Sequence, residues 1–316
     1  MVNPSIKSIS LLLNQPISYY SNAVNFPLVS ICVQTYNHGQ YIRECLDNLL
    51  NQNTNFDYEI LLGEDNSSDN TRHICIEYAE KYPEKIRLFL HDRSNVIKIN
   101  GNATGRFNFI YNLKNTKGKY IALCEGDDYW TDPYKLQKQV DFLEANDDVN
   151  ICFTRALLLK NGKEELQEIP LPFDKQSFRF VELIRHHNFI STASVMFKKP
   201  EPLIFPDWII KVPFGDLALY KIVSNNKKIQ CINEVMSVYR IHDSGVWSGI
   251  NAKKSAEQYL TFYLAIFLAL TSEEKKEAKK KIRSLLRKLA SLSVPNNKYI
   301  AKLYFINLLI KHFNYI

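Results

Sequence analysis

An apolar run that stops in a knot of carboxylates constrains this chain more than any other feature. Tyr120-Ile121-Ala122-Leu123-Cys124, introduced by Lys117-Gly118-Lys119, has the length and composition of a buried strand. It ends in Glu125-Gly126-Asp127-Asp128, followed by Tyr129-Trp130. Like charges at the edge of a core repel unless a cation joins them. Carboxylate oxygens suit Mg²⁺ or Mn²⁺, which bind one or two carboxylates together with substrate phosphates. A solvated acidic turn would give the same string, so the surrounding segments have to decide.

They repeat the pattern. Leu28 to Gln34 reads as a central strand ending in the turn Thr35-Tyr36-Asn37-His38-Gly39. A helix is predicted from Gln40 to Asn51, with Ile42, Cys45, Leu46, Leu49 and Leu50 on one face. Tyr58 to Leu62 is a second strand, running into Glu64-Asp65-Asn66-Ser67-Ser68-Asp69-Asn70-Thr71; Asp69 suits the N-cap of a helix to about Lys81. Ile86 to Leu90 is a third strand, Gly101 to Gly105 a loop, and Arg106 to Leu113 a short helix. After the carboxylates, Pro133 opens a helix with Leu136, Val140 and Leu143 on its buried side. Strands alternating with helices imply a mostly parallel α/β sheet, with ligands outside the carboxyl ends of the strands. Three polar clusters fall on that one edge, which disfavours three unrelated solvated turns.

Several classes are excluded. The turn after the first strand is not G-x-G-x-x-G, and G-x-x-x-x-G-K-[ST] does not occur, so neither a dinucleotide site nor a P-loop is expected. The six cysteines form no C-x-x-C pair and mostly sit in apolar runs, as buried thiols in a reducing compartment would. No signal peptide is read at the N-terminus. The longest uncharged stretch, Gln258 to Ser272, falls short of the roughly 20 apolar residues of a membrane span. A cytoplasmic location is the default expectation.

The three clusters together, Val29-Ser30-Ile31-Cys32-Val33-Gln34-Thr35-Tyr36-Asn37, Glu64-Asp65-Asn66-Ser67-Ser68-Asp69-Asn70-Thr71 and Gly118 to Trp130, resemble the family-2 inverting glycosyltransferases of the GT-A fold, over roughly residues 27–245. Glu125-x-Asp127 stands where that family has D-x-D, and Gln34 stands where it usually has proline. The resemblance implies a GT-A fold: a Rossmann-like, mostly parallel mixed sheet with helices on both faces. It implies that Thr35, Tyr36, Asn37 and Asp65 contact the donor nucleotide. Glu125 would approach the ribose or the metal, and Asp127 would ligate a Mn²⁺ or Mg²⁺ that neutralises the leaving diphosphate. Asn108, with Arg106 beside it, would lie near the sugar; Asn108 on a helix surface is the plainer alternative. Asp128 is grouped with the sugar side, orientation of the loop being its other role.

Farther on, Ile151 to Leu159 reads as a strand before an Asn161-Gly162 turn, Phe178 to His187 as a helix, and Ser191 to Phe197 as the family's acceptor-side strand. Pro213-Phe214-Gly215-Asp216 resembles the family's catalytic-base region. Asp216 then takes a proton from the acceptor, or else it only caps the following helix. Val238-Tyr239-Arg240-Ile241-His242 resembles the family's Y-R-x-H segment, with Arg240 on the donor and His242 on the metal, although a lone histidine is more often surface or core. Trp247 would cap a pocket, and His186-His187 would be structural.

Three parts follow: a lead-in (1–26), a catalytic domain (27–250) and a basic, amphipathic helical C-terminal region (251–316). The net charge is +7, with the excess in that last region. Its stripe Tyr259, Phe262, Tyr263, Ile266, Phe267 and Leu270 packs inward, and Thr271-Ser272-Glu273-Glu274 forms a capping box. Its lysines and arginines make a solvated face, a dimer contact, or a peripheral contact with an anionic membrane. No nucleic-acid motif accompanies them. The expected activity is inverting, metal-dependent transfer from a nucleotide-diphospho sugar, a UDP-sugar foremost, to a glycan or lipid-linked acceptor in cell-surface polysaccharide synthesis. The rivals are a non-catalytic nucleotide-sugar-binding protein of the same fold and a sugar nucleotidyltransferase. The latter lacks a basic loop after the first strand.

Overall fold

Strands buried at nearly every position need cover on both faces, and helices supply it. The computed structural model describes residues 18–20, 26–170, 177–242, 245, 250–293 and 306. Strands β1 (Ser18–Tyr20), β2 (Val29–Thr35), β3 (Tyr58–Glu64) and β4 (Ile86–Leu90) alternate with helices α1 (Ile42–Leu50) and α2 (Thr71–Lys81). A hairpin of β5 (Ile97–Ile99) and β6 (Asn102–Thr104) leads through α3 (Arg106–Lys114) into β7 (Tyr120–Glu125) and the short β8 (Tyr129–Trp130). Then come α4 (Lys135–Ala145), β9 (Val149–Lys160), β10 (Lys163–Leu166), β11 (Ser177–Phe178), α5 (Phe180–His186), β12 (Val195–Lys198), α6 (Gly215–Ser224) and β13 (Lys228–Ile241). Helices α7 (Ala252–Ile266) and α8 (Ser272–Ser293) follow.

The main sheet runs β1-β4-β3-β2-β7-β12-β9-β13-β11, with β8 and β10 paired onto β13 and β9. Strands β4, β3, β2 and β7 are parallel, as are β9 and β13, and β12 lies antiparallel between β7 and β9. Register pairs Gln34 with Glu125 and Thr35 with Glu64, so β2, β3 and β7 finish side by side. Alternation divides each central strand between two cores. Tyr120, Ala122 and Cys124 face the layer of α1, α2 and α4, while Ile121 and Leu123 face the layer of α3, α5 and α6.

Helices α7 and α8 extend that second core. Phe262, Tyr263, Ile266, Ile282 and Leu286 are buried in the same cluster as Leu183 and Leu217. The capping box is present: Thr271 N donates to Glu274 Oε2 at 2.8 Å, and Glu274 N donates to Thr271 Oγ1 at 3.3 Å. Lys221 Nζ of α6 lies 2.6 Å from the same Glu274 carboxylate, pinning the start of α8 to the α/β core. Among the described residues no helix is long and apolar enough to cross a membrane.

Several local expectations change. The cap of α2 is Asn70, one residue after Asp69, and α4 begins at Lys135 behind Tyr134, not at Pro133. The loop read at Gly101 to Gly105 is the second half of the β5–β6 hairpin, turned at Asn100 and Gly101 with φ of 51° and 81°. The strand read from Ser191 begins only at Val195, because Thr192–Ser194 forms a 3₁₀ turn. Asp216 is not the cap of α6; Phe214 holds that position and Asp216 lies in the first turn. Trp247 and all of 298–316 except residue 306 lie outside the described residues.

Candidate active site

The turn after β7 folds back because Asp128 N donates to Glu125 O at 3.0 Å and Gly126 N donates to Gln34 O at 2.9 Å. Gly126 is obligatory: a Cβ there would lie 2.6 Å from Thr35 Oγ1 and 3.1 Å from His38 Nδ1. One carboxylate oxygen from each of Glu125, Asp127 and Asp128 falls within 4.8 Å of the others. Asp127 Oδ2 lies 3.0 Å from His242 Nε2 and 3.6 Å from His38 Nε2, between two imidazoles. These contacts hold the Asp127 carboxyl below its usual range despite its burial. Burial, with the charges of Asp127 and Asp216, pushes the Glu125 carboxyl up to about 8, and burial with Asp127 and Glu125 beside it raises Asp128 well above the carboxylate range.

The groups named with Asp127 divide into those facing the cleft and those holding it. Asp128 is fully buried; its Oδ1 accepts from Arg240 N at 2.9 Å, and its Oδ2 has no hydrogen-bond partner among the described residues. Arg240 sends Nη1 to Asp127 O at 2.7 Å, pairs with Glu44, and lies over the rings of Tyr41 and Tyr129. Its guanidinium is spent bracing the turn. Asn108 is likewise buried, donating to Gly63 O at 2.7 Å; one turn on, Asn112 donates to Val33 O at 2.9 Å. Both seat α3 on the sheet through second lone pairs of strand carbonyls. Arg106 is buried, bonded to Ile209 O and to Pro213 O, and lies flat against Gly215. Burial lowers its guanidinium to about 10.

At the ends of β2 and β3, Thr35 is buried and its Oγ1 has no partner among the described residues. Asn37, at φ 56°, accepts from Ser68 N through Oδ1 at 2.8 Å, tying the two loops together. Tyr36 is 39% exposed, and the Arg93 guanidinium lies 4.1 Å from its ring centroid. Arg93 Nη1 also lies 2.9 Å from Asp65 Oδ2, yet burial raises the Asp65 carboxyl to about 6. Glu64 and Asp69 serve the loop: Glu64 pairs with Arg72 and accepts from Ser67 N, and Asp69 accepts from Gly39 N and Thr71 N.

Asp216 reaches the same edge from the head of α6. Its Oδ2 accepts from Asn188 Nδ2 at 2.6 Å, and burial raises its carboxyl. Its charge is felt by Glu125. Thr35, Tyr36, Asn37, Asp65, Glu125, Asp127, Asp216 and His242 thus gather at one sheet edge, whereas Asn108, Arg106, Asp128 and Arg240 support it from behind. Sequence reasoning missed His38, Arg93 and Asn188. His38 stood in the polar turn after the first strand, where that position was a signal; Arg93 and Asn188 carried none.

The carboxylates fit a divalent cation. Three acidic side chains converge, one buried oxygen lacks a partner among the described residues, and two imidazoles flank the central group.

Related proteins share this frame. An uncharacterized protein of Mycobacterium tuberculosis is 34% identical over 229 residues, covering 69% of this chain and 60% of its own length. This chain spans about 60% of the length of the curated mycobacterial relatives it matches. Residues 1–349 of S. aureus TarS, solved in complex with UDP-GlcNAc, superpose with a TM-score of 0.58 at 18% identity, over 89% of this chain and 79% of that one. A mannosyltransferase from Pyrobaculum calidifontis, solved with GDP-Man and Mn²⁺, superposes with a TM-score of 0.52 at 16% identity, over 96% and 85%. Such likeness carries the fold alone. The family model described as glycosyl transferase family 2 matches residues 30–201, more than half of the sequence and nearly the whole span from β2 through β12, and this chain belongs to that family.

Proposed function

We propose that this chain transfers a sugar from a nucleotide-diphospho donor to an acceptor hydroxyl with inversion at the anomeric carbon. The observation that carries the reading is the sharing of one sheet edge by the Glu125–Asp127 turn and Asp216, close enough that each charge raises the cost of ionising Glu125. Asp127 and His242 would hold a divalent cation, with Glu125 and His38 beside them. When bound, that cation would offset the negative charge of the departing diphosphate. Thr35, Tyr36 and Asp65 line the end of the sheet where a nucleoside would lie, Asn37 fixes the loops around it, and Arg93 makes Asp65 and Tyr36 one wall.

Asn188 and the backbone N–H groups of Leu217 and Asp216 hold the Asp216 carboxylate, which takes the acceptor proton. The acceptor oxygen then forms its bond to the anomeric carbon from the face opposite the diphosphate. The carbon–oxygen bond to the diphosphate breaks, and its electron pair leaves with the nucleotide. Arg240, Asp128, Arg106 and Asn108 act through the backbone they hold. A uridine donor and a glycan or lipid-linked acceptor of cell-surface polysaccharide are the favoured substrates. Support for the donor class comes from the complexes of the two structural neighbours.

Incubation with UDP- and GDP-sugars plus Mn²⁺ or Mg²⁺, reading released nucleoside diphosphate, tests this. Release should need a divalent cation, vanish in Asp127→Ala, and fall at least about a hundredfold in Asp216→Asn with donor still bound. Donor binding without release from the wild type would make the chain a non-catalytic binder. Full turnover in Asp216→Asn would remove the base assignment.

A further inference from the structure

The strongest unassigned feature lies beside Asp216, where an α7 side chain meets a turn with an unusual backbone. His187 closes α5 at φ 63° and ψ 175°, a region that residues with a Cβ seldom occupy and that persists only where the surroundings impose it. The turn has two results. Asn188, the next residue, is delivered to Asp216 Oδ2. The His187 imidazole is presented outward, its ring centroid 4.6 Å from that of Tyr259 at an interplanar angle of 61°. Tyr259 lies in turn 4.5 Å from Phe214, tilted by 36°, and Phe214 precedes Asp216 by two residues. Two partly open rings therefore pack on a buried one that stands two residues before the carboxylate. The Asp216 charge also opposes ionisation of the Tyr259 hydroxyl, in keeping with their nearness.

We propose that His187 and Tyr259 form an acceptor subsite, a wall on which a pyranose ring packs its C–H face while a hydroxyl points at Asp216. The chemistry matches a sugar. An aromatic face is electron-rich and takes the weakly positive C–H groups of a pyranose, and an imidazole can exchange hydrogen bonds with its hydroxyls. Partial desolvation of the ring on its Tyr259 side, with Lys281 and Lys288 nearby, lowers the His187 pKa and favours the neutral ring. The assignment gives α7 a part in the reaction: it completes the acceptor side of a site whose donor side comes from β2, β3 and β7. It rests on reading Asp216 as the base.

Binding can be read without turnover. In the full chain carrying Asp216→Asn, with UDP and Mn²⁺ present, saturation-transfer NMR is run with octyl glycosides of glucose, galactose, mannose and N-acetylglucosamine. Ring protons of at least one glycoside should saturate more strongly than its octyl chain. Tyr259→Leu, which keeps bulk on Phe214, and His187→Gly, which suits the backbone at that turn, should each weaken that binding about tenfold. Tyr259→Phe should retain it. In the otherwise unmodified chain the same two changes should raise the acceptor KM about tenfold and move the donor KM less than about twofold. Saturation confined to the octyl chains, or unaltered affinity in both variants, overturns the subsite. Full-rate transfer by Asp216→Asn would instead defeat the base reading and leave the binding result to stand separately.

Discussion

The backbone N–H of Arg240 donates to Asp128 Oδ1 at 2.9 Å, joining the end of β13 to the carboxylate turn after β7. His242 follows Arg240 by two residues and meets Asp127, so the bond sets the distance between the two groups that would share a cation. Asp128→Asn keeps an acceptor at that position and should fold with metal affinity within a few-fold of the wild type. Asp128→Ala removes the acceptor of the part-buried Arg240 N–H, which costs up to about 1–3 kcal/mol, and should lower both Tm and Mn²⁺ affinity. Calorimetry with and without Mn²⁺ checks both. Equal behaviour of the two variants would remove the strut role.

The carboxylate cluster makes stability depend on pH in a stated direction. Glu125 titrates near 8 in the folded chain against 4.5 as its ordinary value. The native state therefore binds the proton more tightly than the unfolded state does. Its contribution is fully present below about 4.5 and is lost as pH rises through about 8. Metal-free protein should lose Tm across this window. Glu125→Gln should flatten that part of the slope, and a divalent cation should raise Tm more at pH 8 than at pH 5. Asp65, raised to about 6, adds to the same trend and remains in the variant. Thermal melts of both proteins, with and without Mn²⁺, decide it; an unchanged slope in Glu125→Gln would contradict it.

Gly63 admits α3 to the sheet. A Cβ at Gly63 would lie 1.8 Å from Asn108 Oδ1. Gly63→Ala should destabilise by about 2 kcal/mol or more, as overpacking in a rigid core does. Asn108→Ala in the same chain should recover part of that loss, because it removes the obstructing amide. Denaturant titration of the two single variants and the double variant measures the coupling. Additive losses would show that the two positions do not meet.

The strands and the polar edge were legible because their signal is local. A continuous apolar run needs cover on both faces, and a polar string directly after it can lie only at the strand's end. Strand order carried no such signal: β12 enters antiparallel between β7 and β9 through contacts formed only in the folded sheet. The β5–β6 hairpin had a signal, Asn100-Gly101, but its strands are three residues long and too short to show alternation. In the site, acidic residues following strands could be read by position. The groups that orient them, such as Asn188 for Asp216, lie tens of residues away and are ordinary polar side chains in the sequence.

The C-terminal helices separate two questions that a truncation would confuse. Ala278, Ile282, Leu286 and Leu289 of α8 are buried in the core shared with α5 and α6, and Glu274 pairs with Lys221. Ending the chain at residue 250 should therefore expose apolar surface and give aggregation or a large fall in Tm, whatever α8 does on its outer side. Lys276 and Lys280 are exposed four residues apart on that side, where an anionic lipid surface would be met. Each lysine near such a surface contributes about 1 kcal/mol, so Lys276→Gln with Lys280→Gln should weaken binding to phosphatidylglycerol vesicles about thirtyfold. Tm should stay close to the wild type, since an exposed ion pair such as Lys280–Glu277 is worth little. Flotation of the full-length proteins measures the first and calorimetry the second. Absence of the wild type from the vesicle fraction would leave the basic face as solvated surface.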